Sequence, residues 1–408
     1  MGDVFLKACG LVVEYNPLHN GHVYHIQSAQ KVSQADCIIA VMSGPFLQRG
    51  EPAIIDKFYR AKAALVNGVD IVLELPYPYA VQSSQNFAKG ALRTLDEIGV
   101  SSICFGSESG NMTDFTSAYH LFKEKEPLYT ETLQQNLKLG ISFPEASMLS
   151  FEEVGLTTTT MDLSQPNNIL GFSYVRTILD HDLSIEPLTI KREQSQYHDQ
   201  RITNSIASAT SIRKKLLATD HLSENVKTTL PTESITQLTQ YKSTASLWHS
   251  WEAYFPFIHY RVMTMSIDEL AHIHGVDEGL EYRIKETAKD VTSFHQWMNK
   301  IKTKRYTWTR LQRIFVHILT NTKKNELVTF EKNESVPYIR LLGFSNTGRT
   351  YLNQYKKKLN VPLFTQFNKK NYDLLKMDER ASHAYYSIIP ASHRKTLQQQ
   401  ELTPPIFI

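Results

Sequence analysis

Three cysteines in 408 residues, Cys9, Cys37 and Cys104, are too few and too scattered for a disulfide framework or a zinc site. Each lies in or beside an apolar run, where a buried thiol is the plain reading. No apolar run approaches the roughly 18 residues a membrane-spanning helix needs. The opening Met1-Gly2-Asp3-Val4-Phe5-Leu6-Lys7 lacks the basic stretch and apolar core of a secretory signal, so a cytoplasmic protein is expected. The two common phosphate loops are missing as well. There is no G-x-x-x-x-G-K-[ST], and no G-x-G-x-x-G after the first apolar run. Internal repeats are absent, and the Thr157-Thr158-Thr159-Thr160 run, read as a loop, is the only low-complexity stretch.

What is present suits a soluble protein of two or three domains, with 41% hydrophobic and 21% charged residues. The net charge of +3 hides an asymmetry: residues 301–408 carry 19 Lys and Arg against 7 Asp and Glu, and residues 1–300 carry 25 against 34. A basic C-terminal part of this kind suggests a polyanionic partner, although ordinary surface solubility would produce it too.

Short apolar runs recur about every 30 residues in the first part: Leu11-Val12-Val13, Ile38-Ile39-Ala40-Val41, Ile71-Val72-Leu73-Glu74-Leu75 and Ile103-Cys104-Phe105. Pro187-Leu188-Thr189-Ile190 is a fifth strand candidate. This is the spacing of βαβ units, and near-continuous apolarity marks strands covered on both faces. The fold class is therefore α/β, a doubly wound parallel sheet. Beyond about residue 225 the strand pattern fades. Residues 267–288 and 308–319 have helical spacing, so we expect a catalytic domain over 1–230 and a mainly helical one over 231–408, with the boundary near Pro231.

The first strand candidate runs into the string Gly10-Leu11-Val12-Val13-Glu14-Tyr15-Asn16-Pro17-Leu18-His19-Asn20-Gly21-His22-Val23-Tyr24-His25. Asn16-Pro17 makes a turn, and H-x-G-H then opens a helix. His19 and His22, three apart, share one helix face. They sit where free amides and the helix dipole favour an anion, and Gly21 lets a nucleotide come close. Imidazoles there can donate to a phosphate that gains charge in a transition state. Two structural cap histidines would be the plainer account of the same string.

A second helix start, Ser208-Ala209-Thr210-Ser211-Ile212-Arg213, offers hydroxyls, free amides and a guanidinium, enough for a second phosphate clamp. Taken alone it is simply a well-capped helix. Arg49, after the second strand, can reach a phosphate or pair with Glu51. Lys302, Lys304, Arg305, Arg310 and Arg313 interleave with Tyr306 and Trp308, a pattern that can grip phosphates and stack on unpaired bases. Lys356, Lys357 and Lys358 form a further cluster, with Lys369 and Lys370 nearby. A solvated basic helix face remains the alternative to both.

Several strings together carry a resemblance: GLVVEYNPLHNGHVYH (10–25), VMSGPFLQRGEP (41–52), FGSE (105–108), PNNILG (166–171), IKR (190–192), YHD (197–199), the Ser208 to Arg213 segment, KRYTWTRLQR (304–313) and YIRLLGFSNTG (338–348). Over essentially the whole chain they resemble the bacterial tRNA(Met) cytidine acetate ligases, nucleotidyltransferases related to class I aminoacyl-tRNA synthetases. In place of the small residues usual before YHD, this chain has Glu193-Gln194-Ser195-Gln196.

The resemblance implies a two-step reaction. Acetate attacks the α-phosphate of ATP to give acetyl-adenylate and pyrophosphate. The N4 amine of the wobble cytidine of elongator tRNA(Met) then takes the acetyl group, giving N4-acetylcytidine and AMP. No cysteine or serine nucleophile is required.

It also implies an ATP site made of residues 12–25 with Gly106, Asn167 and Arg192, joined by Ser208 and Ser211. His19, His22, Thr210 and Arg213 would serve catalysis, and Lys304, Arg305, Arg310, Arg313, Lys356 and Lys357 the tRNA. Mg²⁺ is expected with the triphosphate, without a protein ligand cluster, and neither membrane nor DNA is expected as a partner. Two other classes stay open on the residues alone: a transferase moving AMP or CMP onto a phosphorylated metabolite, and a non-enzymatic RNA-binding protein on a degenerate nucleotide fold.

Overall fold

The structure, a computed structural model, describes residues 5–158, 161–192, 207–277, 279–333, 335–370 and 372–408. The Glu193 to Gln196 departure and the YHD string lie outside these residues.

Five parallel strands form the heart of the sheet: β1 (Ala8–Val13), β2 (Cys37–Ser43), β3 (Ile71–Leu75), β4 (Ser102–Ser107) and β5 (Glu186–Lys191). All five run through the apolar segments read from the sequence. Each residue of β2 and β3 is buried, as expected for strands covered by helices on both faces. Three more strands come from the far end of the chain: β6 (Ile339–Phe344), β7 (Leu363–Phe364) and β8 (Ile406–Phe407). The order is β5-β4-β1-β2-β3-β6-β7, with β8 paired to β6. β6 runs antiparallel to β3, and β7 and β8 run parallel to β6. These strands were not expected within 231–408, because Arg340 breaks the apolar run that would have marked one.

Arg340 is tolerated there because it belongs to a buried ion cluster. Lys57 Nζ lies 2.7 Å from Glu74 Oε2 and 2.8 Å from Glu401 Oε1, while Arg340 Nη2 lies 3.3 Å from Glu401 Oε2. Two cations and two carboxylates balance, the condition under which charges can be kept out of water. The cluster ties β3 and the helix Lys57–Val66 to β6 and the C-terminal segment.

Helix Trp308–Leu319 matches its expected span. The stretch 267–288 does not: it divides into Ile267–Ala271 and Leu280–Ala288. Gly275 and Gly279 between them both have φ of 81°, a left-handed conformation that a continuous helix cannot hold, and Gly279 caps the start of the second piece. A helix begins at Thr232 directly after Pro231. Most of the helices beyond it share one apolar core with Phe46, Leu47, Ile54 and Ile55 from the loop after β2, while Tyr351 and Leu352 of helix Asn346–Tyr355 join the core of the sheet. All three cysteines are buried and free. Among the described residues no helix is long and apolar enough to cross a membrane.

Candidate active site

A cleft of about 420 Å³ opens at the C-terminal edge of β1, β4 and β5, where parallel sheets bind ligands. His19 is the N-cap of helix Asn20–Ser33, in extended backbone geometry. Its Nδ1 accepts the Gly21 amide at 3.1 Å, and His22 Nδ1 accepts the His19 amide at 3.2 Å. The pair thus forms a reciprocal capping box from imidazoles, where serine and glutamate are usual. The rings stack with centroids 3.8 Å apart.

This geometry fixes the tautomers. With both Nδ1 atoms accepting amide hydrogens, each neutral ring carries its proton on Nε2. Burial drives the pKa of His19 down to about 3, helped by Arg192 and Arg213. Burial also holds His22 well below its usual value, with His19, Arg192 and His25 adding to the effect. Both rings are therefore neutral Nε2–H donors near neutral pH. His25 Nε2 donates to the Cys104 carbonyl at 3.1 Å, and burial lowers its pKa to about 4.

Of the segment 12–25, Val12, Val13, Glu14, His19, Gly21, His22, Tyr24 and His25 line the cleft. The remaining members support it from behind. Tyr15 and Leu18 are core residues, and Tyr15 meets the His22 ring edge-on at 5.1 Å. Asn16 Oδ1 accepts the Ile54 amide at 2.7 Å, and the Asn16–Pro17 bond is cis. Asn20 Nδ2 donates to the Thr228 carbonyl at 3.0 Å, and Val23 packs against the core beneath β1.

Gly106, Asn167 and Arg192 come together at one end of the cleft. A Cβ on Gly106 would stand 3.1 Å from Arg192 Cγ, so the glycine makes room for that side chain. Gly106 lies inside β4. Arg192 Nη1 donates to Asn167 Oδ1 at 2.9 Å, and Asn167 Nδ2 donates to Glu108 Oε1 at 2.6 Å. Glu108 also accepts the Asn168 amide at 2.7 Å, at the first turn of helix Pro166–Asp180. Glu108 lay within a recognised string without being singled out, because nothing local reveals that it faces residues some 60 positions away.

At the other end, Ser208, Ala209, Thr210 and Arg213 line the cleft from the start of helix Ala209–Thr219. Ser208 caps that helix, accepting the Ser211 amide at 3.1 Å. Ser211 is buried, and its hydroxyl returns to the Ser208 carbonyl, so it does not reach the cleft. Arg213 pairs with Glu51 at 2.7 Å and donates to the Asn16 carbonyl at 2.9 Å. Glu51 was expected to pair with Arg49 if with anything; it pairs across the cleft instead.

Helix Trp308–Leu319 reaches this same end. Gly50, at φ 75°, lies so close to the Arg313 backbone that no Cβ fits. Arg313 Nη1 and Gln48 Nε2 both donate to the Gln82 carbonyl, each at 2.8 Å. Burial, then Arg310 and Arg49, lowers the Arg313 pKa to about 10, and Arg49 itself lines the cleft. Lys304 and Arg305 are exposed just before the helix. Tyr306 is not available for stacking on a base: it is 7% exposed and covered by Arg310, 5.0 Å from its ring.

Lys356 and Lys357 lie elsewhere. They follow helix Asn346–Tyr355, whose Gln354 holds the Leu6 amide and whose Tyr351 donates to the Ile98 and Gly99 carbonyls. These are the entries to β1 and β4, at the edge of the sheet opposite the cleft.

Residues 6–401 match the HIGH Nucleotidyl Transferase family. The chain is similar to the tRNA(Met) cytidine acetate ligase of Oceanobacillus iheyensis, 55% identical over 403 residues that cover 99% of this chain and 100% of that one. It is 43% identical to the ligase of the same description from Bacillus subtilis, covering 97% and 96%. Two crystal structures of Thermotoga maritima TmcAL superpose on it. The apo form has a TM-score of 0.90 at 32% identity, covering 99% of this chain and all of that one. The form bound with alpha-thio ATP has a TM-score of 0.89 at 33% identity, with the same coverage.

Proposed function

Since the chain belongs to the tRNA(Met) cytidine acetate ligases, within the HIGH nucleotidyl transferases, we propose that it activates acetate with ATP and acetylates N4 of the wobble cytidine of elongator tRNA(Met) in the cytoplasm. The observation that carries this reading is the histidine pair, whose Nδ1 atoms are both occupied, leaving two neutral Nε2–H donors at a helix N-terminus.

ATP lies along the cleft, its nucleoside toward Gly106, Asn167 and Arg192 and its phosphates over the histidines. An acetate oxygen attacks the α-phosphorus, and the bond to pyrophosphate breaks. The charge that gathers on the phosphates is met by His19 and His22, by Arg213 and by the Thr210 end of helix Ala209–Thr219. Mg²⁺ accompanies the triphosphate in this reading. Among the described residues no three His, Cys, Asp or Glu side chains converge to hold a metal.

Residues 1–230 thus carry activation. The arginines of helix Trp308–Leu319, with Lys304, Arg305 and Arg49, bring the anticodon loop to the same cleft. Lys356 and Lys357 face away and take no part in placing the cytidine.

The test is acetate-dependent exchange of pyrophosphate into ATP without RNA, followed by nucleoside mass analysis of tRNA(Met) incubated with acetate and ATP. Exchange with acetate alone and N4-acetylcytidine in the product support the reading. Exchange that needs a phosphorylated metabolite would move the protein to the small-molecule transferases.

A further inference from the structure

The acetyl-transfer step needs a group that neither histidine supplies. The N4 amine of cytidine is conjugated with the ring and weakly nucleophilic, and once it attacks an acyl carbon its N–H becomes strongly acidic. A proton acceptor must therefore stand beside it. His19 and His22 are donors in their only accessible tautomer, and His25 Nε2 is committed to the Cys104 carbonyl on the β4 side. Among the described residues two carboxylates line the cleft, Glu14 and Glu51. Glu51 is held by Arg213.

Glu14 differs. It is the first residue after β1, half-buried in the cleft wall. Oε1 accepts the Gln48 amide at 2.8 Å, which anchors the carboxylate, while Oε2 has no hydrogen bond among the described residues. Its backbone carbonyl is clamped by Arg60 Nη1 at 2.7 Å. The charged and titratable groups facing it are Glu51 and Arg49 from the loop after β2, Arg60 from helix Lys57–Val66, Arg213 from helix Ala209–Thr219, and Tyr174 from helix Pro166–Asp180. Glu14 therefore stands beside the phosphate clamp, toward the end of the cleft that helix Trp308–Leu319 reaches, where an acyl group on the nucleotide and an amine on the RNA would meet.

We propose that Glu14 is the proton acceptor of the acetyl-transfer step, an inference that rests on the two-step reading above. As N4 forms its bond to the acetyl carbon, the carbon–oxygen bond to the adenylate phosphate breaks and its electron pair leaves on AMP. The N4 proton passes to Glu14 Oε2 and from there to solvent. Burial raises the Glu14 carboxyl, with Glu51 adding and Gln48, Arg49 and Arg213 opposing. That moves it toward neutral pH, where a general base is most effective.

The experiment measures the two half-reactions separately on Glu14→Gln. Exchange reports adenylate formation. Single-turnover transfer from isolated enzyme-bound acetyl-adenylate to tRNA(Met) reports the second step. The fall in transfer should exceed the fall in exchange by about 10²-fold or more, the usual contribution of a positioned base. The wild-type transfer rate should rise with pH to a plateau, and the variant should lose that limb. Hydroxylamine, which needs no base, should consume the variant's adenylate as fast as the wild type's, showing that the bound intermediate is intact.

Equal losses in both half-reactions would give Glu14 a role in activation and overturn the proposal. Unchanged transfer would overturn it too, and assign the proton to the departing phosphate. A wild-type protein without acetate-dependent exchange would instead sink the two-step reading, and this proposal with it.

Discussion

Two substitutions at His22 separate its capping role from its chemical one. His22 Nδ1 receives the His19 amide, and Nε2–H points the other way. Asparagine can keep an acceptor near the Nδ1 position and has nothing at Nε2. Glutamine can place an amide N–H near Nε2. If the catalytic work is donation from Nε2, loss of one transition-state donor costs about 3 kcal/mol, or roughly 10²-fold in rate. Loss of the cap alone costs about 1 kcal/mol of stability and little rate. His22→Asn should therefore melt within a few degrees of wild type yet form adenylate about 10²-fold more slowly, and His22→Gln should be less stable but recover part of the rate. The assay is single-turnover formation of acetyl-adenylate from ATP and acetate, with a thermal melt of each variant. An asparagine variant as fast as wild type, or rate losses that simply track stability, would refute the assignment.

Further expectations concern acid, RNA and the buried ions. His19 has a folded pKa of about 3 against an ordinary 6.5, and His22, His25, His249 and His317 are lowered in the same direction by burial. The unfolded chain therefore binds more protons below about 6.5, so stability is fully present above that pH and falls as pH drops toward the folded values; melts at successive pH values check the sign. Arg305→Ala with Arg310→Ala should weaken tRNA binding and reduce the slope of log K against log salt by roughly 0.7 to 0.9 per lost contact. Lys356→Ala with Lys357→Ala, on the opposite edge, should leave both affinity and slope unchanged. Glu401→Gln, which leaves Lys57 and Arg340 short of one buried carboxylate, should cost about 3–5 kcal/mol in denaturant unfolding.

Much of the catalytic half was legible from local pattern. The parallel strands announce themselves because burial on both faces demands unbroken apolar runs, as in Ile38-Ile39-Ala40-Val41. The cleft was legible because H-x-G-H sits directly after one of them. What escaped depends on distant partners. Arg340 hid β6, since its charge is neutralised by Glu401, 61 residues later. Glu108 positions Asn167 at one end of the cleft, and Arg213 meets Glu51 and the Asn16 carbonyl, pairings with no local signature. Tyr306 looked available for a base and is covered by Arg310. Lys356 and Lys357 share the basic composition of the residue 304–313 string but emerge at the other edge of the sheet, which only the topology reveals.

The way β6 and β8 close the sheet bears on how the protein is made. β3 acquires its outer neighbour from residues 339–344, and β6 is in turn paired by Ile406 and Phe407. The carboxylate that balances Lys57 and Arg340 arrives at position 401. A ribosome that has released the five parallel strands has therefore released a sheet with a bare edge, where the Lys57–Glu74 pair still waits for Arg340 and Glu401. Contacts this far apart in sequence form slowly, and exposed strand edges pair with wrong partners while they wait. The nucleotide-binding half should thus gain its full stability only after synthesis is complete. Nascent chains stalled near residue 330 should be captured by chaperones or proteases more readily than the finished protein.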